Sequence, residues 1–312
     1  MAITAAMVKE LREMTGAGMM DCKKALGETD GNMEEAVKYL REKGMAKAEK
    51  KASRIAAEGL CKVIVSNDNK TAAVVEVNSE TDFVAKNEKF QNYVALVAQQ
   101  ALATNSTDKD AFLAEPWIGD SSKTVEEELK SQIAVIGENI KIHRFTKVTA
   151  TEGIVVSYTH GEGRIGVVVE AATDVVNNDI KAAMTNIAMQ IAAMSPKYIS
   201  DKEISEDYIN NEKEILKAQI MNDPKESQKP EKVIEGMIMG RIKKEMKEIC
   251  LLDQVYVKAE DGKQSVGKYV EEVAKANGAN FSIKSFVRYE TGEGQEKKNE
   301  DFAAEVAAQM GM

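Results

Sequence analysis

The chain has 312 residues, enough for two to three domains with cores of their own. Apolar residues make up 43% and charged residues 30%, an ordinary balance for a water-borne protein. The net charge of −9 argues against a chain whose main task is to grip phosphate backbones. Cys22, Cys61 and Cys250 are far apart, with no CxxC pair, so neither a disulfide frame nor a zinc site is expected. No run of about 18 apolar residues occurs, so no membrane span is expected. The start "MAITAAMVKELREMTG" lacks a basic stretch followed by an apolar one, which leaves the cytoplasm as the expected compartment.

Residues 1 to 44 read as three short helices. Met7, Val8, Leu11 and Met14 share one helical face that stops at Gly16. "MMDCKKAL" is a second helix, and "DGN" turns the chain into a third, "MEEAVKYLREKG", which Gly44 is expected to end. The basic run "AKAEKKASR" then reads as a solvated linker, with a phosphate-binding stretch as the alternative.

A repeat follows. "EGLCKVIVSNDNKTAAVVEVNSETDFVAK" from Glu58 matches "EGIVVSYTHGEGRIGVVVEAATDVVNN" from Glu152, with Val74-Val75-Glu76 and Val168-Val169-Glu170 at an offset of 94. Each is a β-hairpin by its turn chemistry, and each leads into an amphipathic helix. The ends of the copies match as well. "TVEEELKSQIAVIGENIKIHRF" from Thr124 and "SVGKYVEEVAKANGANFSIKSF" from Ser265 are offset by 141, which sets Gly137-Glu138-Asn139 against Gly278-Ala279-Asn280. Each copy therefore reads as hairpin, helix, second helix and third strand, an α+β unit with a small antiparallel sheet and helices on one face.

The growth of the offset from 94 to 141 leaves about 47 extra residues in the second copy. Ile209, Leu216 and Ile220 stripe one helix there, and Ile234, Ile238, Ile242 and Met246 stripe another, with "NDPKESQKP" as the turn. This is a helical hairpin that buries one stripe per helix, projects from the body and seeks a partner. "TGEGQEKKNEDFAAEVAAQMGM" closes the chain as a polar loop and a short amphipathic helix.

No catalytic constellation emerges. His143 and His160 have no ligand cluster or nucleophile motif near them, and Cys22 reads as a buried helical thiol. "GAGMMD" is a turn between helices. "GKQSVGKY" fits GxxxxGK, but Tyr269 stands where a Mg²⁺-binding hydroxyl is needed, and the matching "GDSSKTVEEEL" of the first copy lacks the pattern. No cofactor and no metal are expected.

The distinctive stretch is "NSETDFVAKNE", polar at nearly every position yet carrying Phe83 beside Asp82. Phe83 is either a hydrophobic staple for the next helix or a group presented to a partner. Set against Thr173-Asp174-Val175-Val176, the first copy's Thr81-Asp82-Phe83-Val84 alone has the bulky ring, which favours the partner.

The segments "LREMTGAGMMDCKKAL", "RIAAEGL", "NSETDFVAKN", "HGEGRIGVVVE", "VRYETGEG" and "DFAAEVAAQM" resemble, in order and over the whole chain, bacterial elongation factor Ts. That family is the exchange factor for the GTPase elongation factor Tu. The resemblance implies a ubiquitin-associated-like three-helix domain with its linker over 1–54. It implies a core first copy over 55–149, and a second over 150–200 and 251–290. The dimerisation hairpin would span 201–250, and a C-terminal module 291–312. It implies that Thr81, Asp82, Phe83 and Val84 form the motif that intrudes near the partner's switch region and disturbs its Mg²⁺ and phosphate site, so that GDP leaves. Further contacts are implied at Leu11, Met19 and Met20 of the head and at His160, Gly163 and Arg164, although the turn "HGEGR" departs from the family pattern. Self-association through 201–250 is implied too, and neither nucleic acid nor membrane is expected as a partner.

Overall fold

A computed structural model of the chain describes residues 3–296. The expected tail helix lies outside them.

The head is α1 (Ala5–Thr15), α2 (Met19–Glu28) and α3 (Met33–Lys51). Thr4 caps α1 through its hydroxyl, and Gly16 ends it in the left-handed conformation, φ 65°, that glycine reaches without strain. The third helix does not stop at Gly44. It runs on through "AKAEKK", so the expected linker is its last two turns. Gly44 is buried because α3 crosses another helix there: a Cβ would lie 3.1 Å from the Cβ of Ala134. This glycine serves a close approach between helices rather than a helix end.

The first copy begins with β1 (Glu58–Val65) and β2 (Thr71–Ser79), followed by the four-residue α4 (Asp82–Ala85) and α5 (Glu88–Ala103). Next come α6 (Lys109–Ala114), the small ribbon β3 (Pro116–Trp117) and β4 (Asp120–Thr124), α7 (Val125–Ile136) and β5 (Lys141–Thr149). The second copy has β6 (Ile154–His160), β7 (Ile165–Thr173) and α8 (Asn178–Met194). It is interrupted by α9 (Glu206–Asn222) and α10 (Glu231–Ile249), and resumes with α11 (Val266–Asn277) and β8 (Phe281–Glu290).

Both copies build the same sheet. The orders are β1-β2-β5 and β6-β7-β8, antiparallel throughout. Each central strand carries a bulge at the matching place, Glu76/Val77 and Glu170/Ala171. Matching caps frame the later helix: Thr124 and Ser265 at the start, left-handed Gly137 and Gly278 at the end. Ala73, Val75 and Val77 face Phe90, Val94 and Val97 of α5. Val167 and Val169 face Ile180, Met184 and Ile187 of α8.

The other face of each sheet is not open. Ala72 and Val74 of one sheet meet Val155 and Val168 of the other, with Cys61 and Tyr289. The body is thus four layers: helices, sheet, sheet, helices. This explains why "TAAVVEV" and "IGVVVEA" do not alternate, because strands buried on both faces read as apolar runs.

Glu76 is the exception inside that run. It is fully buried and accepts from Arg144 Nε at 2.7 Å, Asn78 Nδ2 at 3.1 Å and the backbone N–H of Gly292 at 2.8 Å. It thereby ties the segment after β8 to the first sheet. Its repeat partner Glu170 is less buried and accepts from Ser285 at 2.7 Å. Glu76→Ala should therefore cost about 3 kcal/mol or more in urea unfolding, because it strands a half-buried arginine and buried donors. Glu170→Ala should cost about 1 kcal/mol.

The inserted α9–α10 pair has its own seam of Ile220, Ile234, Ile238 and Ile242. Its two ends meet at a bridge between Tyr198 and Cys250. Replacing residues 205 to 247 by a short Gly-Ser bridge should leave cooperative thermal unfolding of the body. Loss of that transition would contradict the independence of the two cores.

Candidate functional site

Strand β2 ends at Ser79, whose hydroxyl donates to the carbonyl of Thr81 at 3.0 Å; in the second copy Thr173 does the same to Val175 at 2.8 Å. The next residues also match. Glu80 accepts the N–H of Asn139 at 2.6 Å, and Asp174 accepts that of Asn280 at 2.8 Å. These contacts correct the pairing expected from sequence by two positions. Val175 stands where Thr81 stands, and Phe83 has no counterpart. The copies come back into register at the N-caps Asn87 and Asn177, with Phe90 and Ile180 both fully buried behind them. Between Ser79 and Asn87 the first copy has four residues more than the second has between Thr173 and Asn177. Helix α4 is this insert.

Four residues cannot sustain a helix alone, so α4 is held by its surroundings. The Thr81 hydroxyl caps it, accepting from the Val84 N–H at 3.3 Å. Ala85 is buried, Val84 packs on the core beneath, and Gln91 donates to the Ala85 carbonyl at 3.3 Å. The other side faces solvent. Phe83 is 81% exposed, which excludes the staple role. Asp82 is exposed and bonds Lys86 at 2.8 Å, and that contact lowers its carboxyl pKa.

The turn of the second hairpin lies close by. Asp82 and Lys86 line one groove of about 490 Å³ with Gly161, Glu162 and Arg164. His160 is exposed at the end of β6, its Nδ1 3.0 Å from the Tyr158 hydroxyl. The expected contact residues Asp82 and Arg164 are thus brought together across both copies. Gly163 is buried, and a Cβ there would meet Leu60 at 2.9 Å, so it shapes the turn and presents no surface.

In the head, Met19 and Met20 are exposed, beside an exposed Met14. Leu11 is fully enclosed with Cys22, Leu26 and Ala36. Its expected contact role is corrected, because the helical face it shares with Val8 is the core of the head.

The near-Walker stretch also resolves. Asp261 accepts the N–H groups of Lys263 and Gln264, at 2.8 and 2.9 Å, so those amides face a carboxylate and not an anion site. Tyr269 stacks on Tyr256 with ring centroids 4.2 Å apart. Among the described residues, no group of three His, Cys, Asp or Glu could hold a metal, and no helix is long and apolar enough to cross a membrane.

What sequence reasoning missed was the root of α4. Glu138, Glu80 and Asn139 fasten it, and the only signal was Ala279 standing opposite Glu138 in the repeat.

Comparison with known proteins gives concordant results. The family described as "Elongation factor TS" matches residues 80–293. Elongation factor Ts of Clostridium novyi is 49% identical over 308 residues, covering 99% of both chains. That of Clostridium perfringens is 50% identical over 309 residues with the same coverage, and that of Clostridioides difficile 49% over 308. With a duplicated body, a head and an inserted hairpin matched almost end to end, the chain belongs to the elongation factor Ts family of translation elongation factors.

Proposed function

We propose that the chain binds the GTPase elongation factor Tu in its GDP form, disturbs the partner's Mg²⁺ and phosphate site, and so promotes GDP release for GTP to enter. The observation that carries this reading is Phe83, exposed on a four-residue insert that only one of two matched copies possesses. A rigid aromatic offers large contact area for little lost side-chain entropy, which suits an interface hot spot. Asp82 beside it, Arg164 across the groove and His160 at the strand end before that turn would widen the same contact.

The mechanism is differential binding. A factor that held both forms of the GTPase equally would shift nothing. It must bind the nucleotide-free form more tightly, and by linkage GDP then weakens the factor by the same ratio. No bond of its own is made or broken, so the protein is an exchange factor and not an enzyme. A cytoplasmic location fits this role. The exposed Met14, Met19 and Met20 suit docking of the head on the same partner, and the α9–α10 pair suits self-association.

Phe83→Ala should lower stability by about 1 kcal/mol or less, against the roughly 3–5 kcal/mol of a buried phenylalanine. It should slow stimulated GDP release about tenfold. Thermal unfolding and fluorescent-GDP release on one preparation decide the matter: normal exchange per folded molecule would remove Phe83 from the mechanism.

Removal of the head should act differently. Truncation of residues 1 to 44 should raise the concentration for half-maximal exchange and spare much of the saturating rate, because a tethered contact adds effective concentration. A collapse of the saturating rate would place the push in the head instead.

A further inference from the structure

The loop that joins α7 to β5 is four residues long, Gly137 to Ile140, and touches two parts of the molecule at once. Gly137 caps α7, and its carbonyl accepts the Lys51 ammonium from the last turn of the head's third helix. Asn139 donates its side-chain amide to the carbonyl of Arg54 at 2.7 Å, and its backbone N–H to Glu80 at 2.6 Å. Between them, Glu138 aims its carboxylate at the root of α4, the finger that carries Phe83. One oxygen accepts the N–H of Glu80 at 3.1 Å and of Thr81 at 3.0 Å; the other accepts the Thr81 hydroxyl at 2.7 Å. Thr81 is the N-cap of α4, and Phe83 is two residues on.

The second copy provides the control. Gly278 caps α11 as Gly137 caps α7, and the Asn280 N–H donates to Asp174 at 2.8 Å as that of Asn139 does to Glu80; with no head to meet, the Asn280 amide turns to Asp174 as well, at 2.7 Å. The middle residue is Ala279. The turn therefore closes without a carboxylate of its own. That copy has no α4 insert, and no head precedes its hairpin. Glu138 appears only where both a finger and a head adjoin the loop, and the three donors it satisfies all belong to the finger's root. Charge-assisted bonds of this kind are short and directional, which suits them to fixing an orientation.

We infer that Glu138 is a positioning residue for nucleotide exchange: it fixes the angle at which α4 presents Phe83, and through Gly137 and Asn139 it ties that angle to the docked head. The inference rests on the exchange reading above. A staple that only stabilised the loop would lower the melting temperature and reduce exchange in proportion to folded protein. A positioning residue changes the saturating rate of fully folded protein.

The test uses the full chain with elongation factor Tu loaded with fluorescent GDP. Glu138→Ala, which copies the second repeat, should lower the saturating release rate about tenfold and move the half-saturating concentration by about twofold or less. Glu138→Gln should fall between, since its amide keeps one acceptor oxygen, and it decides the question if the alanine variant folds poorly. Amide hydrogen exchange at Val84, Ala85 and Lys86 should speed up in both variants, while β2 and α5 keep their protection. A saturating rate within about twofold of the parent, or a loss that tracks the folded fraction by circular dichroism, would overturn the inference. Phe83→Ala is run beside them. If it is slow and Glu138→Ala is normal, only the role of Glu138 fails; if Phe83→Ala itself exchanges normally, the finger reading fails and this inference with it.

Discussion

The contact between the two sheets is the constraint on which the rest of the molecule depends. Each sheet has only three strands and is apolar on both faces, so both must be covered. Helices cover the outer faces, and each sheet covers the inner face of the other. The approach is close: a Cβ on Gly166 would lie 3.1 Å from Val63, 3.2 Å from Cys61 and 3.3 Å from Val74. This packing sets where everything else can be. It lays the turn of the second hairpin, Gly161–Gly163, against Leu60 and Cys61 of β1, and so beside α4. The groove that holds Asp82 and Arg164 is a product of that packing and belongs to neither copy alone.

Duplication makes the divergences legible as function. The shared caps, bulges and strand orders show what the unit needs in order to fold. Among the differences are the four-residue insert, the carboxylate of Glu138, the buried Glu76 cluster, the α6 and β3–β4 segment and the α9–α10 pair. None of these is required by the unit, since one copy lacks each of them. An exposed phenylalanine forgoes roughly 2 kcal/mol of burial, so a reason for it must lie outside the fold. The insert itself is held because Val84, Ala85 and Thr81 point inward, and a stiff mount suits the contact proposed for Phe83.

Much of this was written in local pattern. Hairpins, amphipathic helices and caps such as Thr124 and Gly16 follow from nearest-neighbour chemistry, and the repeat showed that each copy ends in a third strand. Three readings failed for one shared reason. Gly44 looked like a helix end and is a helix crossing. Leu11 looked available and is the centre of the head. Thr81-Asp82-Phe83-Val84 looked alignable with Thr173-Asp174-Val175-Val176, although the true match slips by two and leaves the finger unpaired. In each case the residue type suited two environments, and only the packing partner decides between them.

The sequence by itself determined the elements, the duplication, the hairpin insertion and the oddity of Phe83, because these rest on periodicity and on spacing along the chain. Only the tertiary structure decided that the sheets stand back to back, that the head's last helix docks on α7, and that Glu138 reaches Glu80 and Thr81 from 58 and 57 residues away in sequence. Hydrogen bonds between distant segments leave no periodic trace in a single sequence. The Glu138 bonds arise from the register of β5 on β2, Lys141 against Asn78, which is settled only when the core of that copy closes.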